Sequence, residues 1–193
     1  AETFSGVDNP NGSWSYGWWS MAPPAGSFTL YDVPDLFDGL EEWHSSILVS
    51  EPPGYPPSVY FNGTNVVQFP GTTVTIQPGQ FAMHPGPLGE HSVVRWVAPT
   101  DGMYSIAAKF TGISHADPTT TDVHVLIGSS AVFSGSININ GGGSTSSYND
   151  MVALNSGQAV YFSVGFGNGT YFYDSTALAA SICSTSEIGR AHV

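Results

Sequence analysis

Residues 92–113, SVVRWVAPTDGMYSIAAKFTGI, decide the expected fold. In the second half of this stretch, apolar residues at Tyr104, Ile106, Ala108 and Phe110 alternate with other residues, which is the pattern of a β-strand with one buried face. The first half alternates in the same way, and a Pro-x-x-Gly turn separates the halves. The stretch therefore predicts a β-hairpin whose apolar face is covered by a second sheet.

The composition extends this prediction to the rest of the 193-residue chain. Charged residues are scarce, and 23 glycines and 14 prolines leave almost no run suited to a long helix. Roughly ten short strand patterns follow one another at the spacing of a sandwich. We predict an all-β fold, a two-sheet antiparallel β-sandwich of jelly-roll type, formed by residues 1–186 as a single domain. One helical turn is expected within residues 34–46, where Leu36, Leu40 and Trp43 have roughly helical spacing.

The charge of the chain restricts its partners. Three basic residues stand against 15 acidic ones, giving a net charge of −12. This balance argues against binding to nucleic acid, which requires a basic surface, and against other anionic polymers and anionic lipids. Cations and neutral glycans are the ligand classes that fit.

The ends of the chain bear on its location and origin. The opening residues, AETFSG, are typical of a mature N-terminus left after signal-peptide cleavage, so an extracellular or cell-surface location is expected. No run approaches ~18 apolar residues, so no membrane span is predicted. Cys183 is the only cysteine, which excludes an internal disulfide. Residues 187–193, EIGRAHV, look like a translated sequencing adapter and are interpreted as a non-native tail of a gene read from a metagenomic-type fragment.

Four segments resemble, in order, the strands of a known class of module. They are WVAPTDGMYSIAAKF at 96–110, TDVHVLIGSSAVFSGSI at 121–137, MVALNSGQAVYFSVG at 151–165 and YFYDSTALAASI at 171–182. This order resembles the order of strands in secreted bacterial jelly-roll modules, which are similar to carbohydrate-binding modules. The stretch NPNGSWSYGW and the loop at His84 resemble surface-sorted, PEP-CTERM-type extracellular proteins. The resemblance implies a two-sheet jelly roll, often with a structural calcium ion near the termini, and implies no specific sugar.

Aromatic side chains are the candidate glycan contacts. Exposed flat rings stack on the C–H faces of sugars, whereas buried rings only fill the core. Trp18 and Trp19 are adjacent in a strand and point to opposite faces, so we expect Trp19 to be exposed. The predicted ligand-binding residues are Trp19, Trp43, Tyr55 and Tyr173.

The sequence contains candidate ligands for two kinds of metal site. Asp8 and Asn11 precede the first strand and Asp174 precedes the last, and because these strands are commonly neighbours in a jelly roll, the three residues are the candidate Ca²⁺ ligands. The alternative is a transition-metal site for Cu or Zn, for which His84, His91 and His124 are the candidates if they meet in space.

These observations favour a non-catalytic extracellular module that binds neutral polysaccharide or a cell-surface glycan, or that mediates surface adhesion. One alternative is a metal-dependent polysaccharide-active enzyme that uses the three histidines. Another is a structural protein of the cell surface or matrix. No nucleophile elbow and no phosphate-binding glycine loop with lysine occurs in the sequence.

Overall fold

A computed structural model describes residues 4–20, 27–48, 55–138, 144–167 and 169–185. The tail at 187–193 lies outside the described residues. The strands are β1 (Trp14–Trp19), β2 (Thr29–Leu30), β3 (Val33–Phe37), β4 (Leu40–His44), β5 (Ser58–Phe61), β6 (Phe81–His84), β7 (His91–Val97), β8 (Gly102–Gly112), β9 (Asp122–Ile127), β10 (Ser130–Ser136), β11 (Thr145–Leu154), β12 (Ala159–Gly165) and β13 (Thr176–Ser184). Short 3₁₀ turns occupy Ser46–Leu48 and Pro70–Thr72.

The strands form two antiparallel sheets that pack face to face, which confirms the predicted all-β sandwich of jelly-roll type. The first sheet has the order β10-β9-β12-β7-β1-β2, and the second has the order β11-β8-β13-β6-β5-β4-β3. Apolar side chains from the two inner faces form one core, including Val94, Ile106, Phe110, Val125 and Phe162. No described helix is long and apolar enough to cross a membrane.

Residues 92–113 form two strands in different sheets, so the predicted hairpin is wrong. The strand β7 pairs with β1 and β12, whereas β8 pairs with β11 and β13. The turn between them carries the chain from one sheet to the other. There the Tyr104 hydroxyl donates a hydrogen bond to the carbonyl of Thr100 at 2.8 Å, and its ring packs edge-on against Trp96. The expected burial of alternate residues in β8 is confirmed, because the face bearing Ile106 and Phe110 lies in the core.

The expected helical turn at 34–46 is also wrong, because β3 and β4 form a tight hairpin there. The two residues at its tip, Asp38 and Gly39, both have positive φ, at 48° and 83°. This is the geometry of the turns that match the twist of paired strands, and Asp-Gly is a favoured sequence for it. The turn signal therefore outweighed the apolar spacing that favoured a helix.

Both outer faces carry additional apolar clusters. On the second sheet, Leu40, Tyr60 and Ala82 pack under a loop that contributes Val74 and Ile76. On the first sheet, an outer cluster comprises Trp19, Val93 and Leu126, with Phe28 and Tyr161 packed against it. The sandwich therefore has loops or side chains covering part of each outer surface.

Candidate functional site

A cleft with a volume of about 250 Å³ opens on the outer face of the second sheet. Strands β3 to β6 supply its floor, because alternate residues of these strands point away from the core. The loop around Pro70 forms one wall, and the segment leading into β13 forms the other. The lining residues are Phe37, Glu42, Tyr55, Ser58, Tyr60, Pro70, Gly71, Thr73, Val74, His84, Tyr171, Phe172, Tyr173 and Ser175.

Aromatic rings dominate the rim of this cleft. Tyr55 is 60% exposed, Phe172 is 55% exposed and Tyr173 is 37% exposed. Tyr55 is held edge-on by Phe37, with ring centroids 5.7 Å apart. Phe172 is held by Tyr171, with ring centroids 4.5 Å apart. The rim therefore presents three exposed rings, and neighbouring rings support two of them, Tyr55 and Phe172.

The floor of the cleft is polar. The Tyr60 hydroxyl donates a hydrogen bond to Ser175 Oγ at 2.7 Å. Burial raises the pKa of the Glu42 carboxyl, and a hydrogen bond from Ser58 opposes that rise. These hydroxyl and carboxyl groups are suited to exchanging hydrogen bonds with a hydroxylated ligand.

His84 adds a hydrogen-bond acceptor to the floor. Burial lowers the pKa of its imidazole to about 4, so the ring is neutral at pH 7. Its Nδ1 lies 2.8 Å from the carbonyl oxygen of Pro85, which accepts hydrogen bonds only, so Nδ1 carries the proton. The other ring nitrogen, Nε2, therefore has a lone pair and acts as an acceptor.

The four predicted contact residues divide into two pairs. Tyr55 and Tyr173 both line the cleft. The expected exposure of Trp19 and Trp43 is wrong, because they are only 4% and 5% exposed. Trp19 does lie on the face opposite Trp18, as expected, but Phe28 and Tyr161 cover that face. Trp43 faces the core, and its indole N–H donates a hydrogen bond to the carbonyl of Ser5 at 2.7 Å.

The three candidate calcium ligands do not share the arrangement that motivated them. Asp8 and Asn11 precede β1, which lies in the first sheet, whereas Asp174 precedes β13, which lies in the second. Asp174 is buried, and its Oδ1 accepts hydrogen bonds from the backbone N–H and the hydroxyl of Thr120 at 2.7 and 3.1 Å. Burial raises the pKa of Asp174 to about 7. The reason for expecting one site is therefore wrong, and calcium binding stays a prediction.

Two of the three candidate histidines come together, with an aspartate in place of the third. His91 and His124 have ring centroids 5.9 Å apart. Asp122 Oδ2 lies 2.8 Å from His124 Nε2 and 3.7 Å from His91 Nε2. His84 lies in the cleft on the other sheet, where its ring packs edge-on against Tyr171. The expected cluster is therefore corrected to His91, Asp122 and His124.

Sequence reasoning missed several residues of these sites. The spacing of Asp122 and His124, two residues apart in a strand, places both side chains on one face and was the available signal. For Phe37 and Glu42 the signal was the Asp-Gly turn at 38–39, which pairs β3 with β4 and sets the alternation of both strands. No local pattern in the sequence predicts that residues 171–175, which lead into β13, pack beside β6.

Comparisons with known proteins find likenesses in structure only. No protein-family model and no curated protein matches the chain. Among solved structures it is similar to a family 51 carbohydrate-binding module from Clostridium perfringens in complex with methyl-galactose, at 13% identity and a TM-score of 0.38, covering 57% of this chain and 79% of that one. It is also similar to a family 35 carbohydrate-binding module from Clostridium thermocellum, at 12% identity and a TM-score of 0.37, covering 67% and 99%. An adhesin domain of Lys-gingipain from Porphyromonas gingivalis matches at 14% identity and a TM-score of 0.34, covering 56% and 75%. Carbohydrate-binding modules are thus among its structural neighbours.

Proposed function

We propose that this chain is a non-catalytic extracellular module that binds a neutral glycan, with one sugar ring held in the aromatic cleft. The observation that carries the proposal is the meeting of Tyr55 and Tyr173 at the rim of one cleft. These residues are 118 positions apart in the sequence, and the sequence alone predicts both as sugar contacts.

The rim provides the stacking surface that a pyranose requires. The C–H groups on one face of a sugar ring are apolar, and burying them against an aromatic ring removes apolar surface from water. The exposed rings of Tyr55, Phe172 and Tyr173 are otherwise unfavourable on a soluble surface. Because neighbouring rings already hold Tyr55 and Phe172, little side-chain entropy is lost when a ligand stacks on them.

The floor provides the polar part of such a site. The hydroxyls of Tyr60 and Ser175, the carboxyl of Glu42 and the Nε2 acceptor of His84 can pair with sugar hydroxyls. At about 250 Å³ the cleft is slightly smaller than typical ligand pockets, which begin near ~300 Å³. One sugar ring, at the end of a chain or in a branch, is the ligand that this size favours.

The charge of the molecule favours a neutral ligand. Glu42 lies in the cleft floor, and the whole chain carries a net charge of −12. Both would repel sulfated sugars and uronic acids. Adhesion to a neutral surface glycan would use the same cleft.

The proposal is tested by screening the tag-free protein on an array of neutral and acidic glycans, followed by calorimetric titration of the best ligand. We expect binding to a neutral glycan and a loss of about tenfold in affinity, equal to about 1.4 kcal/mol, for Tyr55→Ala and for Tyr173→Ala. Met103→Ala is the matched control, because Met103 is an exposed apolar residue outside the cleft lining and its truncation should leave affinity unchanged.

Two results would contradict this function. One is an array on which no neutral glycan binds above background while the protein is folded. The other is a bound glycan whose affinity is the same in wild type, Tyr55→Ala and Tyr173→Ala, since the binding surface would then lie elsewhere.

A further inference from the structure

The cluster of His91, Asp122 and His124 lies on the outer face of the first sheet, away from the aromatic cleft. It spans three adjacent strands, because β12 separates β7 from β9. On β12 the residue paired with Asp122 is Gly165. A Cβ atom on Gly165 would collide with the His91 ring and the Asp122 carboxylate. The missing side chain is therefore what allows residues from β7 and β9 to meet across the intervening strand.

The donor atoms of the three side chains converge. One ligand atom from each residue lies within 4.8 Å of the other two. The distances from Asp122 Oδ2 are 2.8 Å to His124 Nε2 and 3.7 Å to His91 Nε2. Ligand atoms bound to one zinc ion at about 2.0–2.2 Å lie roughly 3–4 Å from each other, so only small side-chain shifts are needed.

The imidazole of His91 has no hydrogen-bond partner among the described residues. His91 is 4% exposed, and its Nδ1 is buried without a partner. Its Nε2 lies 3.7 Å from Asp122 Oδ2, which is beyond hydrogen-bond range. Buried polar groups are normally paired, so an unpaired imidazole directed at a carboxylate requires an explanation. A cation between His91, Asp122 and His124 would give the ring a partner.

Neighbouring groups orient the other two side chains. The backbone N–H of Gly167 donates a hydrogen bond to Asp122 Oδ1 at 2.9 Å. This contact leaves Oδ2 directed at the histidines. On β10, Ser134 Oγ lies 2.9 Å from His124 Nδ1 and fixes the ring with Nε2 toward Asp122. Hydrogen bonds from outside the ligand set orient metal-binding histidines and carboxylates in the same way.

We propose that His91, Asp122 and His124 bind a divalent transition-metal ion, for which Zn²⁺ is the test ion. Two imidazoles and one carboxylate suit such ions, whereas Ca²⁺ requires 6–8 oxygen ligands, which this set does not supply. A depression with a volume of about 450 Å³, lined in part by His91, Asp122 and Phe166, gives the site access to solvent. Three protein ligands leave at least one coordination position for water or another ligand. This proposal does not depend on the aromatic cleft.

The test is calorimetric titration of ZnCl₂ into tag-free protein that has been stripped with EDTA and dialysed. We expect one binding site in the wild type, a rise in melting temperature on adding Zn²⁺, and no heat of binding with CaCl₂. Asp122→Asn keeps an acceptor for Gly167 and a partner for His124 but removes the charged ligand, and we expect it to weaken binding at least 100-fold. His115→Gln alters an exposed histidine outside the cluster and should bind Zn²⁺ as the wild type does.

His91→Leu separates loss of the site from loss of folding. Because the imidazole is buried and unpaired, an apolar side chain of similar size should leave the melting temperature in EDTA equal or higher while abolishing the Zn²⁺-induced rise. The proposal is overturned if the wild type takes up no Zn²⁺ at millimolar concentration. It is also overturned if folded Asp122→Asn and His91→Leu bind Zn²⁺ as tightly as the wild type.

Discussion

Two histidines, His84 and His91, are neutral in the folded protein because burial lowers the pKa of each to about 4. In the unfolded chain the same groups take up a proton near pH 6.5. Between pH 6.5 and 4 the unfolded state therefore binds more protons than the folded state. The stability that these two groups contribute is fully present above pH 6.5 and is lost as the pH falls toward 4.

We expect His84→Asn to reduce this acid sensitivity. An asparagine amide can still donate to the carbonyl of Pro85, but it does not titrate. In EDTA, the free energy of unfolding of the variant should fall less steeply between pH 6.5 and 4, by up to about 1.4 kcal/mol per pH unit. Urea unfolding at a series of pH values measures the slope. Equal slopes for variant and wild type would contradict a lowered pKa for His84.

At the scale of single residues, local alternation in the sequence predicts the direction of a side chain. It placed Trp18 and Trp19 on opposite faces of β1, and the structure confirms this. Alternation within β1 does not predict that Phe28 and Tyr161 cover Trp19, because Phe28 precedes β2 and Tyr161 lies on β12. Exposure of a ring depends on what packs over it, and for Trp19 that information is distant in the sequence.

The hairpin of β3 and β4 positions part of the cleft. Phe37 is the last residue of β3 and supports Tyr55, while Glu42 lies on β4 in the cleft floor. Between the strands, Gly39 adopts a φ of 83°, a backbone conformation in which residues with a Cβ atom are strained. The turn is thus a small element on which one side of the cleft depends.

Gly39→Ala should cost about 1 kcal/mol of stability or more, because alanine is strained at this φ although space for its Cβ is available. We also expect weaker glycan binding, since a displaced Phe37 no longer supports Tyr55. Chemical unfolding and calorimetric titration measure the two effects. Gly102→Ala is the control: its Cβ meets only an ordinary contact with Tyr104, and no positive φ occurs there. Equal effects from the two substitutions would contradict the role assigned to the turn.

At the level of elements, strands were easier to predict from the sequence than their partners. The alternation in residues 92–113 identified both β7 and β8, but adjacency in sequence led to the wrong pairing. In this sandwich each of the two strands has two other neighbours, and the short connection crosses between sheets. Pairing is therefore decided by the whole set of strands, which alternation within one segment does not specify.

The whole molecule carries its two candidate sites on opposite outer faces. The aromatic cleft lies on the second sheet, and the histidine–aspartate cluster lies on the first. Fold class followed from composition and turn residues throughout the chain. The positions of the two sites could not be predicted in this way, because both sites are assembled from segments far apart in sequence. His91 and Asp122, for example, meet only through the order of strands in the sheet.

The strand β11 forms one edge of the second sheet, and this position has a consequence for association between molecules. An open edge offers unpaired backbone groups to a strand from another copy, and proteins commonly blunt such edges with proline, bulges or charge. The edge strand β3 contains Pro34, and β10 has an irregular register between Ala131 and Phe133. The strand β11 extends over Thr145–Leu154 without proline, and Asp150 is its only charged residue.

Asp150 is therefore expected to act as a gatekeeper against strand-to-strand aggregation. Asp150→Ser should increase light scattering over time at pH 7, whereas Asp117→Ser, which removes the same charge from an exposed loop, should not. If both variants aggregate alike, net charge rather than the edge governs association. The position of this charge therefore matters as well as the net charge of the chain. A single carboxylate on β11 limits the pairing of the second sheet with a strand from another molecule.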